Sequence, residues 1–179
     1  MQTTDKLECL EKNAVVNGIR LTYFERGMVY RGVKPTLLFV HATGFHARVW
    51  DKIINALGDF HSISVDQRGH GRSEKKKTQH WSEVITDTSE MIEQLDLTNI
   101  IAIGHSMGAH ALIGAAPKAE HRFLKIIAID PVIPEEAAFM DDTPSPFNSA
   151  EQHPTAKRRN EFDSAEEMAE RLKPKGSFG

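Results

Sequence analysis

The chain has 179 residues, 40% hydrophobic and 26% charged, a balance that supports a buried core and excludes disorder throughout. A formal net charge of -3 creates no long-range field for gathering nucleic acid or an anionic membrane, so the expected partner is a small-molecule substrate, with oligomeric state left open. Cys9 is the single cysteine, no apolar run reaches membrane-spanning length, and the charged opening MQTTDKLECLEK lacks the apolar stretch of a signal peptide, so the expected location is cytoplasmic.

The first elements form a hairpin. GIRLTYFERG (18–27) alternates Ile19, Leu21 and Tyr23 with Arg20 and Thr22, and pairs through Asn17-Gly18 with the short AVV before it. TLLFVH (36–41), HSISVD (61–66), NIIAIG (99–104) and FLKIIAID (123–130) are short apolar runs of the kind buried on both faces of a parallel sheet. Between them, WSEVITDTSEMIEQL places Trp81, Val84, Ile85, Thr88, Met91, Ile92 and Leu95 three and four apart, which predicts a helix with one stripe against a sheet. Strand and helix alternating over such short connections predict a doubly wound, mostly parallel α/β sheet with an N-terminal antiparallel hairpin. No internal repeat is found.

Beyond Pro131 the texture changes. Six of the eight prolines lie there and no strand-like run appears. SAEEMAERL carries a capping box, Ser164 with Glu167, and predicts one short amphipathic helix. This segment reads either as a tail with one nascent helix or as the start of a helical cap over a site.

Gly104-His105-Ser106-Met107-Gly108 is the most informative stretch. An apolar strand runs directly into the small-residue helix AHALIGAA, the setting of a nucleophile elbow. Ser106 is expected at a strained strand-to-helix turn that exposes its hydroxyl, and side chains at either flanking glycine would collide with neighbouring elements. The helix N-terminus adds positive potential, and the Met107 amide can face an oxyanion. Upstream, FVHATGFHARVW ends a strand with His41-Ala42-Thr43-Gly44, which offers the Thr43 amide as a second donor; His41 itself reads as a packed structural histidine.

Together these residues resemble the α/β-hydrolase family over roughly 14–135: the hairpin, H-A-T-G where the family usually has H-G-x-G, the helix with Trp50, DQRGHGRS (66–73), GHSMG and IAIDP. Ala42 stands where the usual glycine would be. In DQRGHGRS the resemblance implies a structural loop near the site; a phosphate loop is excluded, because position 74 is Glu and no Lys-Ser/Thr pair follows. The resemblance implies a serine hydrolase in which Ser106 attacks an ester, thioester or related acyl carbonyl and forms an acyl-enzyme, with an oxyanion hole at the Thr43 and Met107 amides. Serine at this position argues against the epoxide hydrolase and dehalogenase branches, which place aspartate there. A non-catalytic binding module, and a lyase or perhydrolase on the same scaffold, are the alternative readings.

The partners of Ser106 are not evident. His105 is the elbow's variable residue, His110 lies one turn into the helix, and neither His121 nor His153 follows a strand. Asp130, ending the last strand, is the one candidate acid; it also suits a turn before Pro131. The expectation is an N-terminal portion of a hydrolase core over 1–130, the start of a cap over 131–179, and a C-terminal part of the core absent, since a sheet ending at its sixth strand would expose an apolar edge. Such a chain alone would be weakly active or inactive. The histidines and acids show no metal-ligand spacing, and no metal or cofactor is expected. Lys75-Lys76-Lys77 and Lys157-Arg158-Arg159 read as solvated loops.

Overall fold

A computed structural model of the chain describes residues 8–133 and 162–172. The first stretch carries six strands, β1 Leu10–Val16, β2 Ile19–Arg26, β3 Thr36–Val40, β4 His61–Val65, β5 Ile100–His105 and β6 Phe123–Ile129, with helices α1 Asp51–Leu57, α2 Trp81–Gln94 and α3 Met107–Ala115. The strands form one sheet in the order β1-β2-β4-β3-β5-β6. β1, β2 and β4 pair antiparallel in turn, while β4, β3, β5 and β6 run parallel. This is the expected architecture.

Local chemistry sets the hairpin. Asn17 and Gly18 both have positive φ, 47° and 69°, the combination of a tight turn whose twist matches that of the strands. The predicted AVV is only the end of β1, which begins at Leu10. Its polar first half still pairs with β2, because Lys12 reaches Glu25 at 2.5 Å and the Asn13 carbonyl oxygen accepts from Arg20 and Thr22 at 2.8 Å. Cross-strand polar partners extend a strand that apolar alternation alone would have shortened.

Alternation through the central strand builds a core on each face. Leu38 and Val40 of β3 join Ile63, Ile100, Met91, Ile92 and Leu112 on the face covered by α2 and α3. Leu37 and Phe39 point the other way, onto Trp50 and Ile54, and the Phe39 and Trp50 rings lie 5.4 Å apart. A strand buried on both faces favours apolar residues at successive positions, which is why β3 reads as a continuous run after Thr36. The last strand differs. β6 has a neighbour on one side only among the described residues, and its Leu124, Ile127 and Ile129 are 58%, 44% and 43% exposed.

The chain divides into two compact units, Met1–Ser145 and Pro146–Gly179. The described part of the second is helix α4, Ala165–Leu172, where the Ser164 hydroxyl accepts from the Glu167 amide at 3.1 Å. The reciprocal bond from Glu167 goes to the amide of Asp163 rather than of Ser164. Residues 134–161 and 173–179 of the segment expected to begin a cap, His153 among them, lie outside the described residues. Among the described residues no helix is long and apolar enough to cross a membrane.

Candidate active site

Ser106 occupies the single residue between β5 and α3, with φ 51° and ψ −115°. An L-residue other than glycine rarely adopts this conformation, at a cost of order 1–3 kcal/mol. The neighbours impose it. The Ser106 amide donates to Ile129 O at 2.9 Å, and its carbonyl accepts from His110 N at 3.0 Å. The flanking glycines are required by space: a Cβ at Gly104 would lie 2.6 Å from the Ala109 nitrogen, and one at Gly108 would lie 2.3 Å from Val40 O and 2.7 Å from His41 O. The first collision is with α3 and the second with the end of β3, so the two glycines let the helix sit against two strands.

That close approach brings the HATG turn to the elbow. Thr43 Oγ1 lies 3.4 Å from the Met107 sulfur. Within the turn, Gly44 N donates to His70 Nε2 at 3.0 Å and Phe45 N to Ala42 O at 3.1 Å. The Thr43 and Met107 amides find no acceptor among the described residues. The Met107 amide lies at the N-terminus of α3, next to the half-buried Ser106, where the helix end adds positive potential.

The loop DQRGHGRS is the structural loop expected, held by partners its sequence did not disclose. Asp66 accepts from Ala47 N at 2.6 Å and from Arg72 N at 2.8 Å. Gln67 N donates to His41 Nε2 at 3.0 Å, and its side-chain amide donates to His41 O. Arg68, 1% exposed, forms a fork onto the Asp87 carboxylate at 2.6 and 2.7 Å and meets Glu83 at 2.9 Å, so the loop is anchored to α2. Ser73 Oγ accepts from Thr22 N at 2.8 Å, which anchors it to β2.

His41 is fully buried and hydrogen-bonded at both ring nitrogens, Nδ1 donating to Ala42 O at 2.8 Å. Burial pushes its pKa down to about 4, the Ala42 bond opposing only in part. It is the packed structural histidine expected.

Among the described residues no other histidine is bonded to the Ser106 hydroxyl. The His105 ring faces Phe45, with centroids 6.4 Å apart. His110 is buried, its Nδ1 donates to Val132 O at 3.1 Å, its ring packs edge-on against Trp81, and burial holds its pKa below the ordinary range. Asp130 directly follows β6 with φ 43°, exposed to solvent, and among the described residues no histidine bonds to it. The structure thus groups Ser106, Thr43 and Met107, and leaves Asp130 without a histidine to orient.

The family model described as the alpha/beta hydrolase fold matches residues 35–164. The chain belongs to the α/β-hydrolase fold family. Curated α/β-hydrolase relatives are named as hydrolases, esterases and haloperoxidases. A 2-(acetamidomethylene)succinate hydrolase of Mesorhizobium japonicum is 35% identical over 111 residues, covering 60% of this chain and 40% of that protein. A non-heme chloroperoxidase of Streptomyces lividans is 30% identical over 102 residues, covering 55% of this chain and 37% of that one. Among solved α/β-hydrolase structures, an epoxide hydrolase superposes with a TM-score of 0.61 at 27% identity, covering 70% of this chain and 43% of its own. The chain therefore spans about 40% of the length of the curated relatives it matches.

Proposed function

We propose that Ser106 is the nucleophile of a serine hydrolase acting on a small ester, thioester or related acyl substrate. The observation that carries this reading is the backbone of Ser106, held at φ 51° and ψ −115° between two glycines that have no room for a Cβ. Strain of 1–3 kcal/mol at an exposed-hydroxyl turn persists where the surrounding structure enforces it, and such sites cluster where chemistry is done. Attack of Oγ on the substrate carbonyl places the new negative charge on the carbonyl oxygen, which the Thr43 and Met107 amides receive; each such donor is worth about 3–4 kcal/mol in comparable hydrolases. The tetrahedral intermediate collapses with loss of the substrate's alcohol or thiol, which departs with the proton taken from Ser106, and water then releases the acyl group as a carboxylic acid and returns a proton to Oγ. Support for an acyl substrate comes from the Mesorhizobium relative, whose name specifies hydrolysis of an acetamido-bearing succinate.

The proton of Ser106 needs a base, and among the described residues none is paired with it. In this reading the base and its orienting acid come from polypeptide outside the described residues, and Asp130 is the one acid candidate within them. Reactivity without the base is lower by several powers of ten. The same absence favours a second reading, a hydrolase-like module that binds a ligand at the elbow without turning it over; the chloroperoxidase relative keeps perhydrolase chemistry, and with it a lyase on the same scaffold, in view as a third. A fluorophosphonate probe discriminates them. Labelling that disappears in Ser106→Ala supports the nucleophile, and labelling equal in both proteins refutes it. A core completed by the polypeptide that supplies the base, folded and monodisperse yet neither labelled nor hydrolysing p-nitrophenyl acetate, supports the binding module.

A further inference from the structure

The loop DQRGHGRS holds a second histidine that the proposed chemistry does not use. His70 Nδ1 lies 2.8 Å from Arg68 O, and its Nε2 lies 3.0 Å from Gly44 N. A carbonyl oxygen can only accept, so Nδ1 carries the proton and Nε2 is a bare acceptor for the Gly44 N–H. His41 has the same tautomer for the same reason, with Nδ1 donating to Ala42 O and Nε2 accepting from Gln67 N. Each histidine thus stands on one loop and accepts an amide from the other. Their rings meet edge to face with centroids 5.2 Å apart. The result is a reciprocal clasp between the HATG turn and the DQRGHGRS loop.

The clasp decides which amide of the turn is available. Gly44 N is taken by His70 and Phe45 N by Ala42 O, which leaves the Thr43 amide as the turn's donor without an acceptor among the described residues, on a residue whose side chain meets Met107. We propose that His70 is a positioning residue for the oxyanion site, setting the Thr43 amide by accepting from Gly44; this rests on the reading of Ser106 as nucleophile. The device works only with a neutral ring, since protonated Nε2 would face the Gly44 donor with a second donor. Burial holds His70 below its ordinary range, Lys75 acts in the same direction, and the Arg68 carbonyl and Asp66 oppose them. Asp66 and His46 are the charged and titratable groups that bear on the partner ring, His41. Lys75 sits on the same loop as His70, and Asp66 lies at its start. Protonation of His70 therefore releases the turn and the hold on the Thr43 amide.

The test uses the intact chain, uniformly nitrogen-15 labelled, as wild type, His70→Gln and His70→Leu. The wild type at pH 8 is expected to show a scalar coupling across the hydrogen bond between the Gly44 amide nitrogen and His70 Nε2, and its Thr43 amide resonance moves as His70 titrates. In the Leu variant Gly44 exchanges its amide proton about tenfold faster. Turnover of p-nitrophenyl acetate loses about tenfold or more in kcat with KM within about twofold. Gln, whose carbonyl can accept from Gly44, restores most of both and abolishes the acid titration of the Thr43 resonance. A wild type without the coupling, or a Leu variant with wild-type exchange and kcat, overturns the proposal. If the Leu variant does not fold, the coupling and the pH response of the Gln variant decide. Ester turnover that is unchanged in Ser106→Ala refutes the nucleophile reading, and the exchange and resonance measurements still decide the role of His70 in holding the turn.

Discussion

Acid should weaken this fold through His41, by an amount the structure fixes. The ring is fully buried with Nδ1 donating to Ala42 O and Nε2 accepting from Gln67 N, and its pKa falls from 6.5 to about 4. Because the folded value is the lower one, the unfolded chain binds the proton more readily, and stability is lost as pH falls below 6.5 and stops falling near pH 4. At pH 5 the unfolded histidine is largely protonated and the native one largely neutral, which costs about 2 kcal/mol relative to pH 8; the full difference at still lower pH is about 3.4 kcal/mol. His61, His70 and His110 are also held below their ordinary range by burial and add to the slope. The contribution of His41 is isolated by comparing wild type with His41→Gln in urea denaturation at pH 8 and pH 5. The variant is less stable at both values, but its loss between them should be smaller by about 2 kcal/mol. Equal losses in the two proteins, or a His41 ring proton that titrates near 6.5 by NMR, would refute the reasoning.

Other expectations concern the elbow and its anchors. Gly108→Ala would place a Cβ 2.3 Å from Val40 O, and should lower stability by about 1–3 kcal/mol in thermal denaturation or prevent folding. Ser106→Gly should remove fluorophosphonate labelling while stabilising the chain by about 1 kcal/mol, since glycine tolerates φ 51°; a loss of stability would show that the turn is not strained. Asp87→Ala leaves the guanidinium of the buried Arg68 without its main partner, and should cost about 3–5 kcal/mol by urea denaturation, against under 1 kcal/mol for the exposed pair partner Asp96→Ala.

Much of the sheet was legible because its signals are local. Asn17-Gly18 named the hairpin, the apolar runs named the buried strands, and the glycines around Ser106 named a turn that tolerates no side chain beside it. What stayed hidden depends on pairs far apart in sequence. His41 and Gln67 are 26 residues apart, and so are Gly44 and His70; they meet only because β3 and β4 run side by side in parallel and end together. From the sequence DQRGHGRS could be denied a phosphate but not assigned its partners. The lower half of β1 was missed for a related reason, since its polar residues are justified only by Glu25, Arg20 and Thr22 on the facing strand. Asp130 illustrates the converse. Its place at a strand end was readable, whereas the role of an orienting acid depends on a histidine that the described residues do not bring to it.

The backbone of Ser106 hangs on the strand with the least cover. Its amide is bonded to Ile129 at the end of β6, and its carbonyl also faces Val132 N at 3.5 Å just beyond. An edge strand with exposed apolar residues opens at lower free energy than strands buried on both faces. When β6 lifts away, the constraint on the elbow goes with it, and Ser106 is free to relax out of its unfavourable conformation. Proton exchange at the Ser106 amide should therefore follow that of the β6 strand rather than that of β3, so the geometry of the elbow lasts only as long as β6 stays paired.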